Sequence, residues 1–76
     1  MAKKFHWIAD YTVRLIDGTE EDRRTEVFEA ENILGALEIA QEEARRVARE
    51  DQEVTSAFVY DVGIMEHSGY FEEVQE

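Results

Sequence analysis

The sequence predicts an α+β domain with elements in the order ββαβ, one helix on one face of an antiparallel sheet, and a candidate fourth strand at the end. Three observations predict it. Apolar residues fill every second position near the N-terminus, recur every three to four positions in the middle, and alternate again afterwards. These are the periods of a strand, a helix and a strand. The 76 residues have the size of one domain.

The first strand is predicted over residues 5–16. Its odd positions from Phe5 to Leu15 are all apolar, whereas its even positions are mixed and mostly polar. We expect the odd side chains to face a core and the even side chains to form an open sheet face near water.

A hairpin is predicted to follow the first strand. Asp17-Gly18 is typical of a two-residue hairpin turn, and the second strand is predicted over residues 23–30. With Ile16 opposite Thr19, complementary residues pair on both faces: Phe5 with Ala30, His6 with Glu29, Trp7 with Phe28, Ile8 with Val27 and Arg14 with Glu21. This register also places Glu20 and Asp22 on the core side, unless residues 20–22 loop out as a wider turn.

One helix is predicted over residues 33–50, with Asn32 as its N-cap. Alanines at every fourth position keep its apolar stripe narrow, so we expect the helix to lie close over Trp7, Tyr11 and Phe28. The stripe predicted to face the sheet consists of Ile33, Ala36, Leu37, Ala40, Ala44, Val47 and Ala48.

The third strand is predicted over residues 54–65, antiparallel to the first, which gives the strand order 2-1-3. Strict alternation directs one set towards the core, namely Phe58, Tyr60, Val62 and Ile64. The opposite set, which includes Val59, Asp61 and Met65, is then expected on the open face. Within residues 67–76, His67-Ser68-Gly69 predicts a turn, and residues 70–74 form either a short fourth strand or part of a mobile tail.

Acidity is the most distinctive property of the composition. Nineteen Asp and Glu against eight Lys and Arg give a formal net charge of −11. Such a surface repels nucleic acid and anionic membranes and attracts basic proteins, although acidity also serves solubility alone. The absence of cysteine excludes disulfides and thiolate chemistry. Because no apolar run is long enough to span a membrane and no signal-peptide core is present, we expect a soluble, cytoplasmic protein.

Motifs for catalysis or cofactor binding are lacking. The best constellation for a metal is His6 with Glu29 and Asp10, and a simple cross-strand pair of His6 and Glu29 explains the same residues. No serine lies in a nucleophile-elbow sequence, and there is no glycine-rich phosphate loop. We therefore expect a binding protein that is not an enzyme and uses no cofactor or metal.

Two sets of residues are candidates for partner binding. The apolar contact residues expected on the open face are Ile8, Val27, Val59 and Met65. The acidic candidates for contacting a basic partner are Glu20, Glu21, Asp22, Glu26, Glu29, Glu31, Asp61, Glu66, Glu72 and Glu73. Carboxylates on alternate strand positions recur about every 6.6 Å, comparable to consecutive phosphates along one nucleic-acid strand.

Four short segments carry a resemblance to a known group of proteins. They are Lys3-Lys4-Phe5, Ala30-Glu31-Asn32, Ala36-Leu37-Glu38-Ile39-Ala40 and Val54-Thr55. Over residues 3–64 the chain resembles the small ββαβ host-takeover inhibitors of bacteriophages, such as the host RNA polymerase inhibitor of T-odd coliphages. The resemblance implies a compact protein that docks on a host macromolecule through a sheet edge and an acidic surface.

The sequence leaves two binding functions open, and a third hypothesis, a metal-dependent or carboxylate-driven enzyme, would need a bound ion or a pocket. The first is a phage or mobile-element accessory protein that occludes a basic, nucleic-acid-handling host protein by mimicking nucleic acid, without binding nucleic acid or membrane itself. The second is a homo-oligomeric scaffold protein, such as a homodimer held through the open face or through Tyr70 and Phe71.

Overall fold

The computed structural model describes residues 3–65. Its elements in chain order are β1 (Phe5–Leu15), β2 (Glu20–Arg24), β3 (Phe28–Ala30), α1 (Ile33–Glu50) and β4 (Val54–Ile64). The strands form one antiparallel sheet, and α1 packs on one face of it. The predicted α+β architecture is therefore confirmed. The candidate fourth strand and the tail, residues 67–76, lie outside the described residues.

β1 is the central strand, because every other strand pairs with it. β4 lies along one side of β1 for almost its whole length. β2 and β3 share the other side, opposite residues 10–14 and 5–7 of β1. The predicted order 2-1-3 is thus confirmed, with the predicted second strand divided into β2 and β3.

The turn after β1 contains one residue more than predicted. Leu15 donates its amide to the carbonyl of Thr19 at 2.8 Å, so three residues form the loop. Gly18 adopts φ +91°, the left-handed conformation that such a loop needs at its last position and that glycine adopts without steric cost. Asp17 accepts hydrogen bonds from the Thr19 hydroxyl and amide, and these bonds lower the pKa of the Asp17 carboxyl below its usual value.

The longer turn shifts β2 by one residue along β1. Arg14 lies opposite Glu20 and not opposite Glu21, so the predicted register is wrong for β2. The shift also carries Glu20 and Asp22 onto the open face, whereas the sequence placed them on the core side. The predicted register holds for the whole of β3, including the pair of His6 with Glu29.

Thr25 lies directly after β2, where the shifted register of β2 changes to the predicted register of β3. Its amide donates to the Ala9 carbonyl at 2.9 Å, and its hydroxyl accepts the Ala9 amide at 3.1 Å. The buried hydroxyl therefore accepts the hydrogen bond that a backbone carbonyl would accept from Ala9 if β2 and β3 were one continuous strand. Val27 consequently lies in the gap between β2 and β3, 46% exposed and beside Ile39 of the helix. The predicted pair of Ile8 with Val27 is wrong.

α1 begins and ends where the sequence predicts. Asn32 accepts the Gly35 amide at 2.9 Å, which confirms the N-cap. The helix lies close to the sheet because its buried positions carry only the small side chains of Ala36, Ala40 and Ala44. Two core clusters result, one of Trp7, Ala30 and Ala36 and one of Tyr11, Val13, Ala44 and Val54. Ile33, predicted for the same stripe, is 51% exposed at the first turn.

Candidate protein-binding surface

The sheet face opposite α1, here called the open face, has no second layer on it among the described residues. Directly paired residues on antiparallel strands point to the same side, so the pairing across β1 identifies its members. They are His6, Ile8, Asp10, Thr12 and Arg14 of β1, Glu20, Asp22 and Arg24 of β2, Glu29 of β3, and Ser56, Phe58, Asp61 and Gly63 of β4. Tyr60 also belongs to this face, because it lines a hollow with Asp10 and Asp22.

A β-bulge at Tyr60 decides which side chains of β4 reach this face. Tyr11 lies opposite Val59 and Asp10 lies opposite Asp61, so Tyr60 is an extra residue without a partner on β1. An extra residue resets the alternation of faces along a strand. As a result, Val59 before the bulge and residues 62 and 64 after it all pack towards the core.

The bulge exposes two aromatic side chains that the sequence placed in the core. Phe58 is 63% exposed and Tyr60 is 59% exposed. Val59, predicted for the open face, instead packs against the cluster around Val13. The predicted orientation is wrong for these three residues. The sequence contains a sign of this change in alternation. Strict alternation places the polar Ser56 towards the core and the apolar Val59 towards water, which is the reverse of what each side chain prefers.

Tyr60 lies near Asp10 of β1, Asp22 of β2 and the adjacent Asp61 of its own strand. It shares a shallow hollow of about 290 Å³ with Asp10 and Asp22. Partial desolvation of the phenol, with the negative charges of Asp22 and Asp10, raises the pKa of Tyr60 above its usual value of 10.0. Asp61 lies directly opposite Asp10, which is an unfavourable pairing of like charges. Arg24 offsets it by donating to both Asp10 oxygens, at 2.7 and 3.4 Å.

The acidic candidates fall into four groups. Three form ion pairs: Glu20 with Arg14 at 2.8 Å, Glu21 with Arg23 at 2.8 Å, and Glu29 with His6 at 3.4 Å. Asp22 instead accepts the Thr12 hydroxyl at 2.9 Å. Within residues 3–65, Glu26, Glu31 and Asp61 are exposed and have no ion pair. Glu66, Glu72 and Glu73 lie outside the described residues.

The apolar candidates are spread over different parts of the molecule. Ile8 lies on the open face as predicted, half-buried and opposite Gly63. Val27 lines a separate groove of about 350 Å³ between α1 and the gap in the β2–β3 edge. Met65 directly follows β4 and is half-buried. The structure therefore does not bring the predicted apolar contact set together, and Phe58 and Tyr60 take its place on the open face.

No three His, Asp or Glu side chains within residues 3–65 converge on a position that could hold a metal ion. Over the same residues, no helix combines the length and the apolar character needed to cross a membrane.

Comparisons with protein-family models, with curated proteins and with solved structures give no match to this chain. Its function is therefore inferred from the geometry of its own residues.

Proposed function

We propose that the protein is an acidic binding module that docks through its open face on a basic surface of a partner protein. The observation that carries this proposal is the outward placement of Phe58 and Tyr60 on the open face, which also carries carboxylates from β1, β2, β3 and β4. Exposed aromatic side chains are typical anchors of protein interfaces, and charged residues around them steer association and select the partner. The open face combines both features.

Charge favours a basic partner over a second copy placed face to face. The open face carries the carboxylates of Asp10, Glu20, Asp22, Glu29 and Asp61 against the guanidinium groups of Arg14 and Arg24. The whole chain has a formal net charge of −11. Two such faces pressed together bring like charges close, whereas a basic surface is attracted to the same face.

The partner class that we favour is a nucleic-acid-handling host protein whose site the module occludes. Such proteins carry basic surfaces that contact phosphates. Glu20 and Asp22 hold alternate positions of β2 on the open face, and alternate strand positions are about 6.6 Å apart, comparable to consecutive phosphates of one strand. The resemblance to phage inhibitors agrees with a partner of this class.

The first test combines capture with a pair of charge reversals. Tagged protein captures partners from a bacterial lysate at low salt and at high salt, and the captured protein is then purified for binding measurements. Asp61→Lys reverses an open-face charge, and Glu38→Lys makes the same change on the exposed surface of α1. We expect Asp61→Lys to weaken binding by about tenfold or more and Glu38→Lys to leave it within about twofold. Equal effects would mean that net charge alone acts, and would refute docking through this face.

The second test concerns the aromatic anchor. Tyr60→Ala removes an open-face ring, and Ile16→Ala removes an apolar side chain that is 67% exposed at the hairpin turn. An interface anchor contributes about 2 kcal/mol or more, so we expect Tyr60→Ala to weaken binding by about 30-fold. Ile16→Ala serves as the control and is expected to bind normally. Normal binding by both variants would place the contact elsewhere on the molecule.

A further inference from the structure

The two edges of the sheet differ in their protection against other strands. On one side, β2 has five residues that are all charged, and residues 25–27 separate it from the three-residue β3. Short, charged and interrupted edges discourage pairing with another chain. On the other side, β4 has eleven residues and pairs only with β1 within the described structure. Its residues 54–60 carry no charge.

The hydrogen bonds of β1 show which backbone groups of β4 point away from the sheet. Ala9 directs both its amide and its carbonyl to the β2–β3 side, where they bond Thr25. The direction alternates from residue to residue in an antiparallel strand. Thr12 therefore points to the other side, where it lies opposite Phe58. It follows that the backbone groups of Phe58 bond to β1, whereas those of its two neighbours point to the outer edge of β4, here called the free edge because no strand within residues 3–65 pairs with it.

We propose that the free edge of β4 pairs antiparallel with β4 of a second copy, across a twofold axis that passes beside Phe58. Ala57 of each copy then lies opposite Val59 of the other, and each such pair exchanges two backbone hydrogen bonds. The two Phe58 residues face each other as a pair without hydrogen bonds, with Cα atoms about 4.5 Å apart. Their rings, now largely exposed, cover each other on the open face.

The twofold axis could pass beside different residues of β4, and charge and strand geometry favour the position at Phe58. With the axis at Phe58, Asp61 lies opposite the neutral Thr55 of the second copy. With the axis at Ala57, Asp61 lies opposite Glu53, and two carboxylates meet at each end of the pairing. Moving the axis one residue the other way brings the bulge at residue 60 next to the centre, where it interrupts the new hydrogen bonds.

The surroundings of the edge permit this pairing and limit its strength. An open groove of about 240 Å³ separates the edge from the Gln41 and Arg45 side of α1. Register irregularities on β4 opposite Arg14–Leu15 and Asp10–Tyr11 leave a short regular stretch between them. We therefore expect a reversible dimer that forms with rising protein concentration. Both open faces lie on one side of the joined sheet, but this pairing does not depend on the proposed function.

The test uses purified protein alone and exploits the absence of cysteine from the chain. In Phe58→Cys, the proposed axis brings the two thiols within the range in which disulfides form. Tyr60→Cys is the matched control, because Tyr60 lies on the same face and is similarly exposed. In the proposed register, residue 60 of one copy lies opposite residue 56 of the other copy. The two residues 60 are therefore about 13 Å apart along the strands, too far for a disulfide.

We expect mild oxidation to convert Phe58→Cys into covalent dimer roughly tenfold faster than Tyr60→Cys. Equal rates would reflect random collision or face-to-face contact and would overturn the proposal. Sedimentation of the unmodified chain is expected to show a dimer that Phe58→Lys abolishes and Ile16→Lys retains, two variants with the same change of charge at exposed positions. A monomer at every concentration, or a dimer that survives Phe58→Lys, would also overturn the pairing.

Discussion

Thr25→Val tests the interpretation that a side-chain hydroxyl replaces a strand carbonyl at the joint between β2 and β3. Valine has nearly the shape of threonine but cannot accept a hydrogen bond. The Ala9 amide, whose residue is 1% exposed, then loses its acceptor at a site that water does not reach. The substitution therefore isolates one hydrogen bond while it conserves the packing.

The expected loss of stability follows from the cost of a buried, unsatisfied amide, which is about 1–3 kcal/mol. A chain of 76 residues has a free energy of unfolding of about 4–11 kcal/mol, at about 0.05–0.15 kcal/mol per residue. The loss is therefore a substantial fraction of the total. With a urea dependence of about 1 kcal/mol per M, the unfolding midpoint is expected to fall by about 1–3 M.

Urea unfolding followed by tryptophan fluorescence measures this change, and hydrogen exchange at the Ala9 amide locates it. Thr25→Ser is the control, because it keeps the hydroxyl and removes one buried methyl group, at a cost of about 0.8 kcal/mol. We expect faster exchange at Ala9 in Thr25→Val only. If Thr25→Val proved no less stable than Thr25→Ser, with unchanged exchange at Ala9, the hydroxyl would not fill the role described.

Two further predictions concern the helix start and the open face. Asn32→Ala removes the acceptor of the Gly35 amide and is expected to cost about 1 kcal/mol of stability, or about 4–8 °C in Tm. Asn32→Asp keeps an acceptor and is expected to retain stability. Equal Tm values for the two variants would contradict the role of Asn32 as the N-cap. The pKa of Tyr60 is raised on folding, so its contribution to stability is present below pH 10 and is lost as the pH rises through the folded pKa. Asp22→Asn should move the tyrosinate absorbance midpoint of Tyr60 down towards 10, and an unchanged midpoint would show that Asp22 does not act on the phenol.

Local signals predict the helix well. The Asn32 side chain and the alanine repeat act within one or two helical turns, so the sequence shows both the N-cap and the buried stripe. The hairpin turn is harder to predict, because loops of two and of three residues both need a residue with positive φ. Gly18 satisfies either loop, and the choice between them shifts the whole of β2 by one residue.

The candidate surface is less predictable than the fold, because a bulge depends on the strand opposite it. The position of Tyr60 follows from how β4 meets both ends of β1, and alternation within β4 alone does not show it. Alternation alone therefore assigns Phe58 and Tyr60 to the core, although together they form the aromatic part of the open face. The composition shows the acidic residues as a set, but their distribution over two faces depends on the hairpin register.

The β2–β3 edge is interrupted, and all five residues of β2 are charged, which limits how far copies of this chain could assemble through the proposed β4 contact. A sheet with two receptive edges adds copies without end, and fibres are the result. Within residues 3–65, the outer edge of β4 is the one without such protection, and the proposed isologous contact between two β4 edges covers it in both copies. The proposed assembly then closes at two, because both outer borders of the joined sheet are β2–β3 edges, which discourage further pairing. In that dimer, the charges of β2 limit the number of copies as well as keeping the edge apart from other strands.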